Sequence, residues 1–173
     1  TPLRYLKGVG PERSKILARL GLETLENLFF LFPRRYENRF PIKAVSDAAP
    51  DGKMCVRGTI QSRALIRTKH GQTLFKIVLS DGKKSLFGVW FNQPYLRNIF
   101  VPKTDVILYG AIEREGKHLR MLHPEYEIIS EKDSGERIHS GRIVPIYPLT
   151  ENLTQKGIRS LLYQAVKFFS WLV

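Results

Sequence analysis

From Met54 to Tyr126 the chain abandons helical spacing. Runs rich in Val, Ile, Leu and Phe follow one another, parted by His70-Gly71, Asp81-Gly82 and Glu115-Gly116. A glycine beside a polar residue supplies the backbone freedom a tight reversal needs, so each pair marks a turn between strands. The pattern predicts strands at 53–67, 72–80, 84–91, 104–114 and 118–129, with a short helix or loop from Asn92 to Phe100 before the fourth.

The flanks keep helical signals. Pro11 behind Gly10 suits a first helical position, Ile16, Leu17 and Leu20 hold the spacing, and Gly21 stops the turn. Thr24 caps a second helix carrying Leu25, Leu28, Phe29 and Phe32, which ends at Pro33. Ser130 to Ser140 is polar and reads as a mobile loop. Pro145 and Pro148 hold Arg142 to Leu149 extended, and Thr154 caps a last helix with Ile158, Leu161, Leu162, Ala165, Val166 and Phe169 on its apolar side.

A long first strand, five strands in all and a break between the third and fourth define the expected fold class. It is mainly β with flanking helices: a five-stranded Greek-key barrel of the OB type, preceded by a short helical segment and followed by a C-terminal helix. The expected segments are 1–45 (helical), 46–130 (barrel) and 131–173 (loop, extended linker and helix). At 173 residues the chain suits one large or two small domains. Thr1 in place of a methionine and the apolar stretch Phe168 to Val173 point to a piece of a longer chain.

Charge narrows the partner. Lys and Arg number 28 against 16 acids, a net +12 with a pI near 10.0, which points to a polyanion. The surplus is +5 over residues 1–45, +7 over 46–120 and zero beyond. It is densest where Arg57, Arg63, Arg67, Lys69, Lys76, Lys83 and Lys84 face one acid, Asp81. Phosphate binding is the functional reading of these cations; solvated strand faces are the bland one. The single cysteine, Cys55, excludes an intramolecular disulfide and fits a reducing cytoplasm. Neither a spanning helix of about 18 apolar residues nor a signal peptide is present, so no membrane partner is expected.

Three constellations bear on chemistry. Leu6-Lys7-Gly8-Val9-Gly10-Pro11 has the form of a helix-hairpin-helix turn, in which Gly8 and Gly10 let the backbone approach a phosphate and Lys7 adds a cation. Arg34, Arg35 and Arg39 follow the predicted second helix, where arginines fork onto phosphate oxygens or pair with acids of a neighbouring domain. Trp90-Phe91-Asn92-Gln93-Pro94-Tyr95-Leu96-Arg97 is a strand exit, because Pro94 cannot extend a ladder. Trp90 is expected in the core, while Phe91 and Tyr95 are expected to stack on bases, with Arg97 holding phosphate. His118, His123 and Glu125 read as structural, and Asp81 and Asp105 as turn chemistry. Lys83-Lys84-Ser85 follows Gly82 but lacks the earlier glycine and the loop spacing of a P-loop, so no catalytic residues and no cofactor are expected in this chain.

Leu6–Pro11, Phe32–Arg39, Trp90–Leu96, His123-Pro124-Glu125-Tyr126 and Val144–Thr150, taken in order, resemble the N-terminal region of the RecG family of bacterial DNA helicases. The resemblance implies an OB-type wedge domain followed, in the intact protein, by two motor domains that use ATP and Mg²⁺ to remodel stalled replication forks and four-way junctions. It implies that Phe91 and Tyr95 match the family's two base-capping aromatics. Implied partners are branched DNA and single-strand DNA-binding protein, with the chain a monomer in the bacterial cytoplasm, associated with the nucleoid. Two other readings stay open: an OB domain binding a tRNA anticodon, and a protein-interaction module.

Overall fold

The computed structural model describes residues 1–69, 71–129 and 138–169, the last without the Phe169 side chain. In chain order the elements are α1 (Pro11–Ala18), α2 (Leu25–Phe29), β1 (Arg35–Asn38), β2 (Ile42–Ala44), β3 (Lys53–Arg67), β4 (Thr73–Ser80), β5 (Ser85–Phe91), α3 (Leu96–Ile99), β6 (Asp105–Glu115), β7 (His118–Leu122), β8 (Glu125–Ile129), β9 (Ile143–Ile146) and α4 (Gln155–Phe169). They fall into two compact units: Arg39–Arg142, and Thr1–Asn38 together with Ile143–Val173. Both ends of the chain thus share one unit, a grouping the three consecutive segments of the sequence reading do not contain.

The Arg39–Arg142 unit is a closed barrel. β3, β4 and β5 form an antiparallel meander, β5 runs parallel to β7, β7 pairs antiparallel with β6, and β6 returns to β3. That circuit, with α3 in the connection before β6, is the five-stranded OB topology. β2 lies parallel against β3, and β8 lies antiparallel against β6. Strict alternation builds the interior: Phe75, Ile77 and Leu79 point inward from β4, Leu86 and Trp90 from β5. Burying each of these side chains stabilises the fold by about 1.5–3 kcal/mol. Gly88 between them has no side chain for good reason, since a Cβ there would lie 2.8 Å from the Trp90 ring.

β3 divides in function along its length. Its first half is buried in the barrel, and the register with β4 shifts between Ile60 and Ser62. Beyond that irregularity the strand is mostly exposed and continues with β4 as a hairpin.

The terminal unit packs α1, α2 and α4 around Leu3, Leu17, Leu28, Ile158 and Leu161. Thr24 caps α2 in a box with Asn27, whose N–H it accepts at 3.2 Å. β1 and β9 form an antiparallel ribbon that turns Val144 and Ile146 inward.

Several expectations change. The strand count among the described residues is nine, because the predicted fifth strand breaks at His123-Pro124, because β1 and β2 arise within the segment read as helical, and because β9 arises in the stretch read as extended linker. α2 stops at Phe29, leaving Phe32 three-quarters exposed. The segment before Gly8 is a three-residue 3-10 turn, Leu3–Tyr5, so the hairpin lacks a true first helix. Val166 is exposed on α4. Of the predicted mobile loop, residues 130–137 lie outside the described residues, as does His70 of the first turn, while His139 and Ser140 are buried.

Candidate nucleic-acid interface

At the end of β5 alternation sends Trp90 in and Phe91 out. Trp90 is buried against Phe75, Phe100 and Tyr126, and its indole N–H donates to the Pro124 carbonyl at 3.2 Å. Phe91 is 37% exposed. Its ring lies 5.8 Å from that of His123, and its backbone N–H donates to His123 Nε2 at 3.4 Å. Asn92 then takes a left-handed conformation (φ 55°) while its N–H donates to the Thr73 carbonyl at 2.7 Å, which closes the ladder. After Pro94 the chain presents Tyr95, 56% exposed, with its hydroxyl donating to Gln93 Oε1 at 3.0 Å.

The loop that carries these rings is pinned from below and from the side. Leu96 and Phe100 are fully buried. Arg63 on β3 donates through Nη1 to the Phe100 carbonyl at 2.8 Å and also to the Arg97 carbonyl. A loop held this way presents its rings at little further conformational cost.

The neighbouring hairpin is basic and free of acids. No Asp or Glu occurs from Arg57 through Ser80. Thr68 N–H donates to the Gln72 carbonyl at 2.8 Å, and Gly71 (φ 77°) completes the reversal. Arg67 and Lys69 are exposed at the apex, with Leu65 and Ile66 exposed just below. Lys76 places its ammonium 3.6 Å from the Phe87 ring centroid.

At the opposite end of β4 Arg57 and Lys84 are partnered. Asp81 accepts the N–H groups of Ser46 (2.7 Å), Lys83 (3.0 Å) and Lys84 (3.0 Å). Those donors, Lys84 first, hold its carboxyl well below the usual carboxylate range. Lys84 itself donates to the Ser46 carbonyl at 3.0 Å, and Lys83 is exposed. Arg57 pairs with Asp105 at 2.9 Å. Asp105 also accepts from Thr59 at 2.6 Å, and these two bonds, Arg57's the larger, lower its pKa. Asp105 therefore opens β6 and holds a cross-strand pair, where the sequence suggested a turn role.

In the terminal unit Lys7, Gly8 and Gly10 are exposed at the start of α1, with Gly8 at φ 86° and its carbonyl taking Arg13 Nη1 at 3.2 Å. Arg34 is exposed, and Arg35 pairs with Glu37 at 3.0 Å. Arg39, in the barrel unit, is buried: it forks onto Glu125 at 2.7 and 2.8 Å, donates to the His139 carbonyl at 3.1 Å and lies 3.9 Å from the Tyr109 ring centroid. The helix-to-strand arginine group thus splits, with Arg39 holding the fold.

Sequence reasoning missed the packing of His123 on Phe91, of His118 on Phe87 (5.1 Å) and the Arg39–Glu125 fork. Alternation along β5 carried a signal for Phe87, which shares the outward phase of Phe91.

A closed five-stranded barrel with exposed rings at a strand exit and an acid-free cationic hairpin beside them defines a domain of the OB class. The RecG wedge domain family model matches residues 2–169, and the chain belongs to that family. The ATP-dependent DNA helicase RecG of Thermotoga maritima is 37% identical over 166 residues, which cover 93% of this chain and 20% of that protein. The same helicase of Pasteurella multocida is 32% identical, with 95% of this chain and 23% of the relative covered. A solved structure of RecG bound to a three-way DNA junction superposes with a TM-score of 0.74 at 32% identity, covering 94% of this chain and 22% of that one. The chain spans about a fifth of the length of the curated relatives it matches.

Proposed function

We propose that this chain is the branch-gripping wedge of a RecG-type helicase, binding replication forks and four-way junctions and parting strands at the branch point. The observation that carries it is the pair Phe91 and Tyr95, both exposed on a pinned loop beside a hairpin without acids. Opening a base pair costs on the order of 1–2 kcal/mol of stacking per step. A ring stacked on a base returns about 1–3 kcal/mol, so two rings offset the cost at the point where pairing ends. Arg67, Lys69 and Lys83 take duplex phosphates, giving affinity without sequence; Lys7, Gly8, Gly10, Arg34 and Arg97 add backbone contacts. Arg57, Arg63, Lys84, Lys76 and Arg35 have protein partners, so their part in phosphate binding is to shape the surface that meets the backbone.

ATP and Mg²⁺ serve the motor and act outside this chain. The Lys83-Lys84-Ser85 turn, which lacks the spacing of a phosphate loop, is engaged with Asp81 and Ser46. The acidic tail of single-strand DNA-binding protein is a second partner for the same basic hairpin, and the chain acts as a monomer in the cytoplasm at the nucleoid.

The test is a titration of forked and linear DNA of equal length against salt. A steep salt slope with tighter fork binding is expected, and Phe91→Ala with Tyr95→Ala should bring the fork down to the level of the duplex. Equal affinity of the unmutated chain for both DNAs would overturn the reading.

A further inference from the structure

Strand register draws a line of side chains across the outer face of the sheet at its hairpin end. Ile66 on β3 stands opposite Leu74 on β4, and Leu74 stands opposite Phe91 on β5. Directly opposed residues share a face, so the three project the same way. His123 continues the line, its ring 5.8 Å from Phe91 and its Nε2 accepting the Phe91 N–H. Ile66 is 47% exposed, Phe91 and His123 are exposed, and Leu74 is half-buried.

Strands lie about 4.8 Å apart, so Ile66 and Phe91 are separated by about 10 Å, and His123 lengthens the row further. One stacked base needs only the Phe91 ring. A row this long offers a support for two bases side by side.

The border of the row fixes what rests on it. Lys76 projects from β4 on the same face, two residues from Leu74, and Arg67 and Lys69 are exposed at the hairpin apex. No acid lies anywhere in β3 and β4 beyond Arg57. An apolar strip edged by cations complements an apolar plate edged by anions, which describes the open face of a base pair between its two phosphate strands.

We propose that Ile66, Leu74, Phe91 and His123 form one ledge on which the last intact base pair of the duplex rests. The proposal rests on the branch-binding reading and deepens it: Phe91 is one member of a support for a whole pair, and Ile66 is a binding residue. His123 positions Phe91 through the backbone bond. Tyr95, beyond the strand end, is not part of the ledge.

Ile66 is exposed, so Ile66→Ser and Ile66→Trp alter the ledge with little change to the core. Both are titrated with a fork and an equal-length duplex at fixed salt, beside Phe91→Ala with Tyr95→Ala. Ile66→Ser should lower the fork-to-duplex affinity ratio about fivefold, with duplex affinity and salt slope unchanged, and Ile66→Trp should keep or raise the ratio. If both Ile66 variants keep the unmutated ratio while the double variant loses it, the ledge is wrong and the branch reading stands. If the double variant also keeps it, both fall. A parallel fall on fork and duplex in Ile66→Ser likewise overturns the ledge.

Discussion

The two ends of β4 carry cations of similar number and opposite use. At the Asp81 end Arg57 is tied to Asp105 and Lys84 to the Ser46 carbonyl, and a carboxylate gathers three backbone donors. At the hairpin end Arg67 and Lys69 stand exposed in a stretch with no acid at all. The same residue types stabilise the barrel at one end and face outward at the other. A net charge of +12 favours a polyanionic partner; the placement of counter-charges marks which surface is left open to one.

That contrast predicts a double dissociation, in which partnered cations govern stability and unpartnered ones govern binding. The largest effect belongs to Arg39, the buried cation whose fork on Glu125 ties the start of the barrel unit to β8. Arg39→Met removes the fork from a carboxylate that is 40% exposed and should cost about 2 kcal/mol, read as a lowered urea midpoint. The salt slope of DNA binding should not change. An unaltered midpoint would break the comparison at its strongest point.

Arg67→Gln with Lys69→Gln tests the other side. Each phosphate contact contributes about 0.9 to the slope of log affinity against log salt, so the slope should flatten by about 2. The thermal midpoint should hold. If the slope stays and the midpoint falls, the hairpin cations are structural after all.

Arg57→Gln comes next in size. The pair with Asp105 is partly exposed, and exposed pairs contribute about 0.2–1 kcal/mol. The expected outcome is a small loss of stability and a binding slope like that of the unmutated chain, which separates Arg57 from Arg67 although both are arginines of β3.

The sequence made the strand and turn alternation of the barrel legible, because turns such as Asp81-Gly82 and Glu115-Gly116 require particular residues and the strands between them keep period two. Phe91 and Tyr95 were legible for a similar local reason: Pro94 forces the chain off the sheet between them. What escaped was set at long range. Asp105 lies 48 residues from Arg57, the Phe100 carbonyl 37 from Arg63 and the Ser46 carbonyl 38 from Lys84. No local pattern announces such partners, so these cations read as free. β1 and β9 escaped because four residues are too few to show a period, and Arg142 to Leu149 reads only as extended until β1 supplies its partner.

The smallest predicted effect concerns Asp81 and acid. Its folded-state pKa lies below that of the unfolded chain, because backbone N–H groups of Lys84, Ser46 and Lys83 favour the ionised carboxylate. A depressed carboxyl stabilises the fold fully above its unfolded pKa, and that contribution is lost as pH falls toward the folded value. Asp81→Asn removes the titration while keeping a side-chain acceptor for some of the donors. The unmutated chain should therefore melt above the variant by a constant margin from neutral pH down to about pH 4, and the margin should shrink only below that. A margin that narrows already between pH 7 and 5 would assign the acid sensitivity to another group. Lys84 would then be held by the Ser46 carbonyl alone, and the Asp81 end of β4 would resemble the hairpin end more than its hydrogen bonds imply.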